Sequence, residues 1–107
     1  MAATTRIVCP AIAKPGEVIE IKTLIQHQME TGHRRDNVGR PIPRDIIKEL
    51  AVTYNGIEIF RTEMFPGVSA NPYFMFTTTA TETGELVFTW TDDAGLKTVE
   101  RRQITVA

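Results

Sequence analysis

Val52-Thr53-Tyr54-Asn55-Gly56-Ile57-Glu58-Ile59-Phe60 is the stretch whose reading decides the fold. Two runs rich in β-branched and aromatic residues flank Asn55-Gly56, and Asn-Gly fills the two positive-φ positions of a type I′ turn at little steric cost. The segment reads as a β-hairpin. Just upstream, Ile46, Ile47 and Leu50 fit a helical face as well as a strand. Because the run leads straight into the hairpin, residues 44–50 are read as strand.

The period of two continues outward from the hairpin. Over residues 17–27, Ile19, Ile21, Thr23 and Ile25 fall on one side, and Val18, Glu20, Lys22, Leu24 and Gln26 on the other. Pro15-Gly16 before that run is a turn signal. Arg6 to Cys9, ended by Pro10, reads as an edge strand, where a missing N–H does no harm. Tyr73, Phe74, Phe76, Thr78 and Ala80 make another strand with Phe74 and Phe76 inward. Glu82-Thr83-Gly84 turns the chain into the alternating inward set Leu86, Phe88 and Trp90. Asp92-Asp93-Ala94-Gly95 reads as a second hairpin loop, its two carboxylates solvated and serving their own backbone.

The final strand, 96–106, changes phase. Val99 has odd parity, whereas Ile104 and Val106 have even parity, so a β-bulge is expected near Glu100 to Arg102. Without one, Glu100 and Arg102 would point into the core. About seven short strands with turn signals between them, and no convincing helix, predict an all-β fold: an immunoglobulin-like antiparallel β-sandwich. It is expected to occupy residues 1–107 as one domain.

Composition narrows the function classes. The chain has 107 residues, 42% of them apolar and 23% charged, which is ordinary globular composition. A net charge of −1 lacks the basic excess of a nucleic-acid binder, so none is expected as a partner. No run approaches the roughly 20 apolar residues of a membrane-spanning helix, so no membrane partner is expected. Residues 1–14 contain no apolar stretch of secretory-signal length. Cys9 is alone, which rules out an intrachain disulfide.

Catalytic patterns are missing. The glycines sit at turns and form no phosphate-cradling loop. A nucleophile–base pair would have to draw on Ser69 or Cys9 with His27 or His33, and no motif brings them together. Catalytic residues, cofactor and resident metal are therefore all expected to be absent. One alternative stays open: His27, Met29, His33 and Cys9 are the ligand types of a copper site, so a small metal-binding or electron-transfer sandwich competes. A generic accessory module is a third reading.

Two segments depart from the strand pattern. Residues 28–43 form a long loop carrying Met29, His33, Arg34, Arg35, Arg40, Pro41 and Pro43. Residues 64–72 form a second, carrying Met64, Phe65, Pro66 and Asn71. Loops of the first length inside a compact domain are uncommon and often functional. The arginines between 34 and 44 are offset by Glu30, Asp36 and Asp45, as in a locally paired loop, yet arginine and aromatic side chains are also what protein interfaces favour.

The run Ile21-Lys22-Thr23-Leu24-Ile25, then His27, Met29-Glu30, Gly32, Arg35-Asp36, Gly39 and Pro41-Ile42-Pro43-Arg44, resembles the SoxZ family. So do Val68-Ser69-Ala70-Asn71-Pro72-Tyr73-Phe74 and Phe88-Thr89-Trp90-Thr91-Asp92-Asp93. The resemblance spans nearly the whole chain. It implies a non-catalytic subunit of the SoxYZ sulfur carrier complex, paired as heterodimer or heterotetramer with a SoxY-like subunit that carries thiosulfate-derived sulfur on a cysteine. It further implies transient docking to other Sox enzymes, and a periplasmic location reached by co-export with a signal-bearing partner. The chain ends Ile104-Thr105-Val106-Ala107, without a cysteine-bearing arm, as the family's scaffold subunit does. Cys9 is a departure with no family role. The expected contact surface consists of Met29, His33, Arg35, Pro41, Pro43, Met64, Phe65, Pro66, Asn71, Tyr73 and Phe74.

Overall fold

The computed structural model describes residues 4–107, and all regular structure in them is strand. In chain order the strands are β1 (Thr5–Val8), β2 (Ile12–Ala13), β3 (Val18–Ile25), β4 (Ile47–Tyr54), β5 (Ile57–Glu63), β6 (Tyr73–Thr79), β7 (Gly84–Asp92) and β8 (Lys97–Val106). They form a three-stranded sheet of order β1-β3-β6 and a five-stranded sheet of order β2-β8-β7-β4-β5. The two sheets pack as the expected sandwich. Neighbouring strands are antiparallel, except that two-residue β2 runs parallel to the end of β8.

The alternation read from sequence is the alternation that is buried. Ile19, Ile21, Thr23 and Ile25 of β3 face Leu86, Phe88 and Trp90 of β7 and Leu50 and Val52 of β4 in one apolar layer. Each fully buried side chain of this size contributes about 1.5–3 kcal/mol. Thr23 is the polar member of that layer, and its hydroxyl donates to the Phe74 carbonyl at 3.1 Å. One flank is closed by Phe60 of β5, stacked on Phe76 of β6 with ring centroids 4.3 Å apart.

The hairpin that opened the reading has Asn55 and Gly56 at φ 48° and 81°, both in the left-handed region that a type I′ turn requires. Beside it, the Tyr54 hydroxyl donates to the Glu82 carbonyl. The same oxygen accepts the N–H groups of Thr81 and Glu82 at 3.3 and 3.1 Å. Three backbone groups of the β6–β7 turn are thereby satisfied by one side chain from β4.

One sequence expectation needs correction. No bulge occurs in β8, whose register with β7 is unbroken from Gly84↔Ile104 to Thr91↔Lys97. Glu100 and Arg102 do face inward, opposite Phe88 and Leu86. They remain about one-third exposed and lie 3.5 Å from each other. Five strands cannot be covered by three, so this flank stays open enough to hydrate a charge pair, and the bulge is unnecessary. The irregularities lie in the hairpin sheet instead. The register shifts between Ile47 and Glu49 where β4 meets β7, and between Val52 and Thr53 where β4 meets β5. The first shift makes Lys48 the extra residue and swaps faces. Ile47 and Leu50 can then both point inward, which produced the helix-like spacing in the sequence.

Candidate partner interface

β3 ends, β4 begins, β5 ends and β6 begins at one end of the sandwich, and both unusual loops emerge there. The long loop is an ordered arm. Glu30 and Asp45 exchange backbone bonds of 2.8 and 2.9 Å at its base, and Ile42 N–H donates to the Arg34 carbonyl farther out. At the tip, the Asp36 carboxylate accepts the N–H groups of Val38 and Arg40 at 3.0 and 2.9 Å. Gly32 turns the outgoing strand with φ 85°, and a Cβ there would lie 3.0 Å from that of Arg44. The molecule measures 60 Å along its long axis against 20 and 19 Å across. A nine-residue strand covers only about 30 Å, so the arm extends the molecule well past the sandwich.

The root of the arm is where the two loops lock together. Asn71, in the second loop, accepts the His27 N–H on Oδ1 at 2.9 Å and donates its own N–H to the His27 carbonyl at 2.8 Å. The His27 ring accepts the Met29 N–H on Nδ1 at 3.0 Å, and its Nε2 stands 3.6 Å from Asp45. Met29 and Asn71 hold φ values of 55° and 54°, unusual for side chains other than glycine. The Met29 sulfur accepts the Ile47 N–H at 3.2 Å.

Electrostatics fix the arm's underside. Arg44 grips Asp93 of the β7–β8 turn through two bonds of 2.9 and 2.7 Å, and Asp93 also accepts the Ile46 N–H. The Arg44 guanidinium holds the Asp93 carboxyl below the usual aspartate range against the opposing effect of burial. Glu30 is held low in the same way by Arg34. Of the two turn carboxylates, only Asp92 serves its own turn, accepting the N–H groups of Ala94 and Leu96. Asp93 serves the arm.

Placement of the expected contact residues divides them. Met29 and Met64 are only 4% and 2% exposed; they anchor the two loops in the core and present nothing to a partner, which corrects their assignment to the surface. Phe74 is half-buried against Phe60 and Pro66 is partly covered. His33, Arg35, Pro41, Pro43 and Asn71 are exposed, as are Phe65 at 63% and Tyr73 at 54%. His27, Asp45 and Asp93 were missed as organisers of this end. A lone histidine beside a loop gave no sign of its partner 44 residues away.

Among the described residues, no three His, Cys, Asp or Glu side chains gather as a group that could hold a metal ion. Cys9 is half-buried, and burial pushes its thiol above the ordinary range despite the opposing charge of Arg102. A thiol held protonated is a poor nucleophile.

The family model described as sulphur oxidation protein SoxZ matches residues 7–103. No curated protein sequence matches the chain. Among solved structures, the sulfur carrier protein SoxY from Chlorobium limicola f thiosulfatophilum is similar, with a TM-score of 0.69 and 12% identity over 96% of this chain and 78% of that one. A superoxide reductase (neelaredoxin) from Ignicoccus hospitalis is also similar, with a TM-score of 0.72 and 20% identity over 97% of this chain and 80% of that one. At these identities the likeness is one of fold.

Proposed function

The chain belongs to the SoxZ family of sulphur oxidation proteins, and from that premise we propose that it is the non-catalytic scaffold of a sulfur carrier complex. Its partner is a SoxY-like subunit that bears the covalently attached sulfur, and the pair docks transiently to the enzymes that load and unload it. The setting is the periplasm, reached together with a signal-bearing partner.

The observation that carries this reading is the preordering of the loop end. Two long loops are clasped to each other through His27 and Asn71 and to the β7–β8 turn through Arg44 and Asp93. Their exposed side chains include Phe65, Pro41 and Pro43, with Tyr73 at the adjoining start of β6. A surface already ordered loses little conformational entropy on binding. A mobile sulfur-bearing thiol needs a rigid body of this kind to anchor it.

Co-expression with the SoxY-like subunit of the same genome, followed by native mass measurement, tests the reading. A stable 1:1 complex or a multiple of it, with sulfur adducts confined to the partner, is the expected result. A lone monomer that ignores the partner would overturn it. Alanine at Phe65 and Tyr73 should weaken the complex; unchanged association would remove the loop end from the interface.

A further inference from the structure

The scaffold reading leaves open how far the interface extends beyond the loops, and the outer face of the three-stranded sheet answers that. Strand register lays its outward side chains in rows. Arg6, Leu24 and Tyr73 stand side by side in the row nearest the loop end, and Val8, Lys22 and Met75 in the next. The row after that is polar, with Glu20 beside Thr77, and separates them from Val18 and Thr79 at the far end. Val8, Tyr73 and Met75 are each more than half exposed. Arg6, Val8, Lys22, Thr23, Leu24 and Tyr73 line a shallow depression of about 270 Å³ there. Contiguous apolar surface of this kind on a soluble protein marks a contact site more often than a solvated face.

Two features say what covers it. Tyr73 follows directly on Asn71 and Pro72, so the apolar rows are continuous with the clasped loops. Arg6 has no carboxylate partner among the described residues; of the other arginines only Arg35, out on the arm and bonded to the Gly39 carbonyl, shares this, whereas Arg34, Arg40, Arg44, Arg61, Arg101 and Arg102 each have one. A cation covered by an apolar partner without a counter-charge would be strongly unfavourable. The occupant must therefore bring an anion beside its apolar group. On the outer face of the five-stranded sheet the arginines are matched, Arg61 by Glu49 and Arg101 by Glu85.

We propose that the carrier subunit covers the loop-end half of this outer face, seating an apolar side chain in the depression and a carboxylate against Arg6. This rests on the scaffold reading and deepens it. The same-genome SoxY-like subunit is titrated calorimetrically into the wild-type chain and into Arg6→Glu, Met75→Asp, Thr77→Asp and Val99→Asp, with thermal melts to establish that each is folded. Arg6→Glu and Met75→Asp should weaken Kd by about tenfold or more. Thr77→Asp, at the polar end of the same face, and Val99→Asp, on the opposite sheet, should stay within about threefold of wild type. Arg6 is exposed, so its variant carries the test even if Met75→Asp unfolds. Wild-type binding with all four variants alike would overturn the placement while leaving the scaffold reading intact. Absence of wild-type binding would overturn both. A homodimer of this chain alone that Arg6→Glu dissociates would assign the face to a second copy and overturn the carrier as its occupant.

Discussion

At one end of the sandwich the chain reverses in tight turns; at the other it runs out into a long arm and a second loop. The turn end closes through tight turns, Asn55 with Gly56 and Glu82 to Gly84, and Tyr54, Asn55 and Thr83 tie those turns to one another and to the end of β8. The loop end is held almost entirely by residues far apart in the chain: His27 with Asn71, Arg44 with Asp93, Met29 with Ile47. Apolar side chains are exposed at both ends, Ile57 and Val18 near the turns and Phe65 and Tyr73 near the loops; the loop end differs in the ordered arm beside them. Turn chemistry suffices to reverse a strand. Holding a surface in a fixed shape takes contacts from several elements at once.

The sharpest way to break this contrast is at the buried anchor. Met29→Ala should destabilise the fold by about 2–5 kcal/mol, as core truncations of this size do. Urea denaturation measures that loss, and amide exchange should show residues 30–45 losing protection before β7 and β8. A uniform loss across the molecule would mean the arm is not separately anchored. Next in size is the corresponding change at the turn end. Tyr54→Phe strips a shared partner from Thr81 and Glu82 and should cost about 1–3 kcal/mol. Affinity for the carrier subunit should not change, and a drop in it would mean that the two ends are coupled.

Asn71→Gly keeps the left-handed backbone accessible and removes only the side-chain acceptor for His27, so about 1 kcal/mol is expected. Asn71→Ala should cost more, because an alanine must also sit at positive φ. Equal effects of the two would show that the backbone conformation contributes little.

The smallest effect is confined to acid. The Asp93 carboxyl is held below its ordinary value of 3.8 by Arg44. Its contribution is complete above that value and disappears as pH falls through the lower, folded-state value. The Tm difference between wild type and Asp93→Asn should therefore be constant from neutral pH down to about 4 and shrink below it. A difference that stays constant into stronger acid would show that the Arg44 pairing adds nothing to stability.

Local sequence pattern was enough to specify the sheet. Inward alternation in β3 and β7, the Asn55-Gly56 reversal and the aromatic centre are local periodicities, and a period of two cannot be satisfied by any other regular structure. It also carried the family, because the block from Ile21 to Arg44 has no generic physical origin. Tertiary structure alone decided which apolar loop residues are anchors and which are surface: Met29, Met64 and Phe65 look alike in the sequence. Packing partners sort them. It likewise decided that β8 needs no bulge at Glu100 to Arg102 while β4 carries one at Lys48, since the need for a bulge depends on whether the facing sheet covers that strand. The pairing of Arg44 with Asp93 and the solitude of Arg6 were set the same way. An ion pair between residues 49 positions apart is a fact about where strands end in space, and no local pattern encodes it.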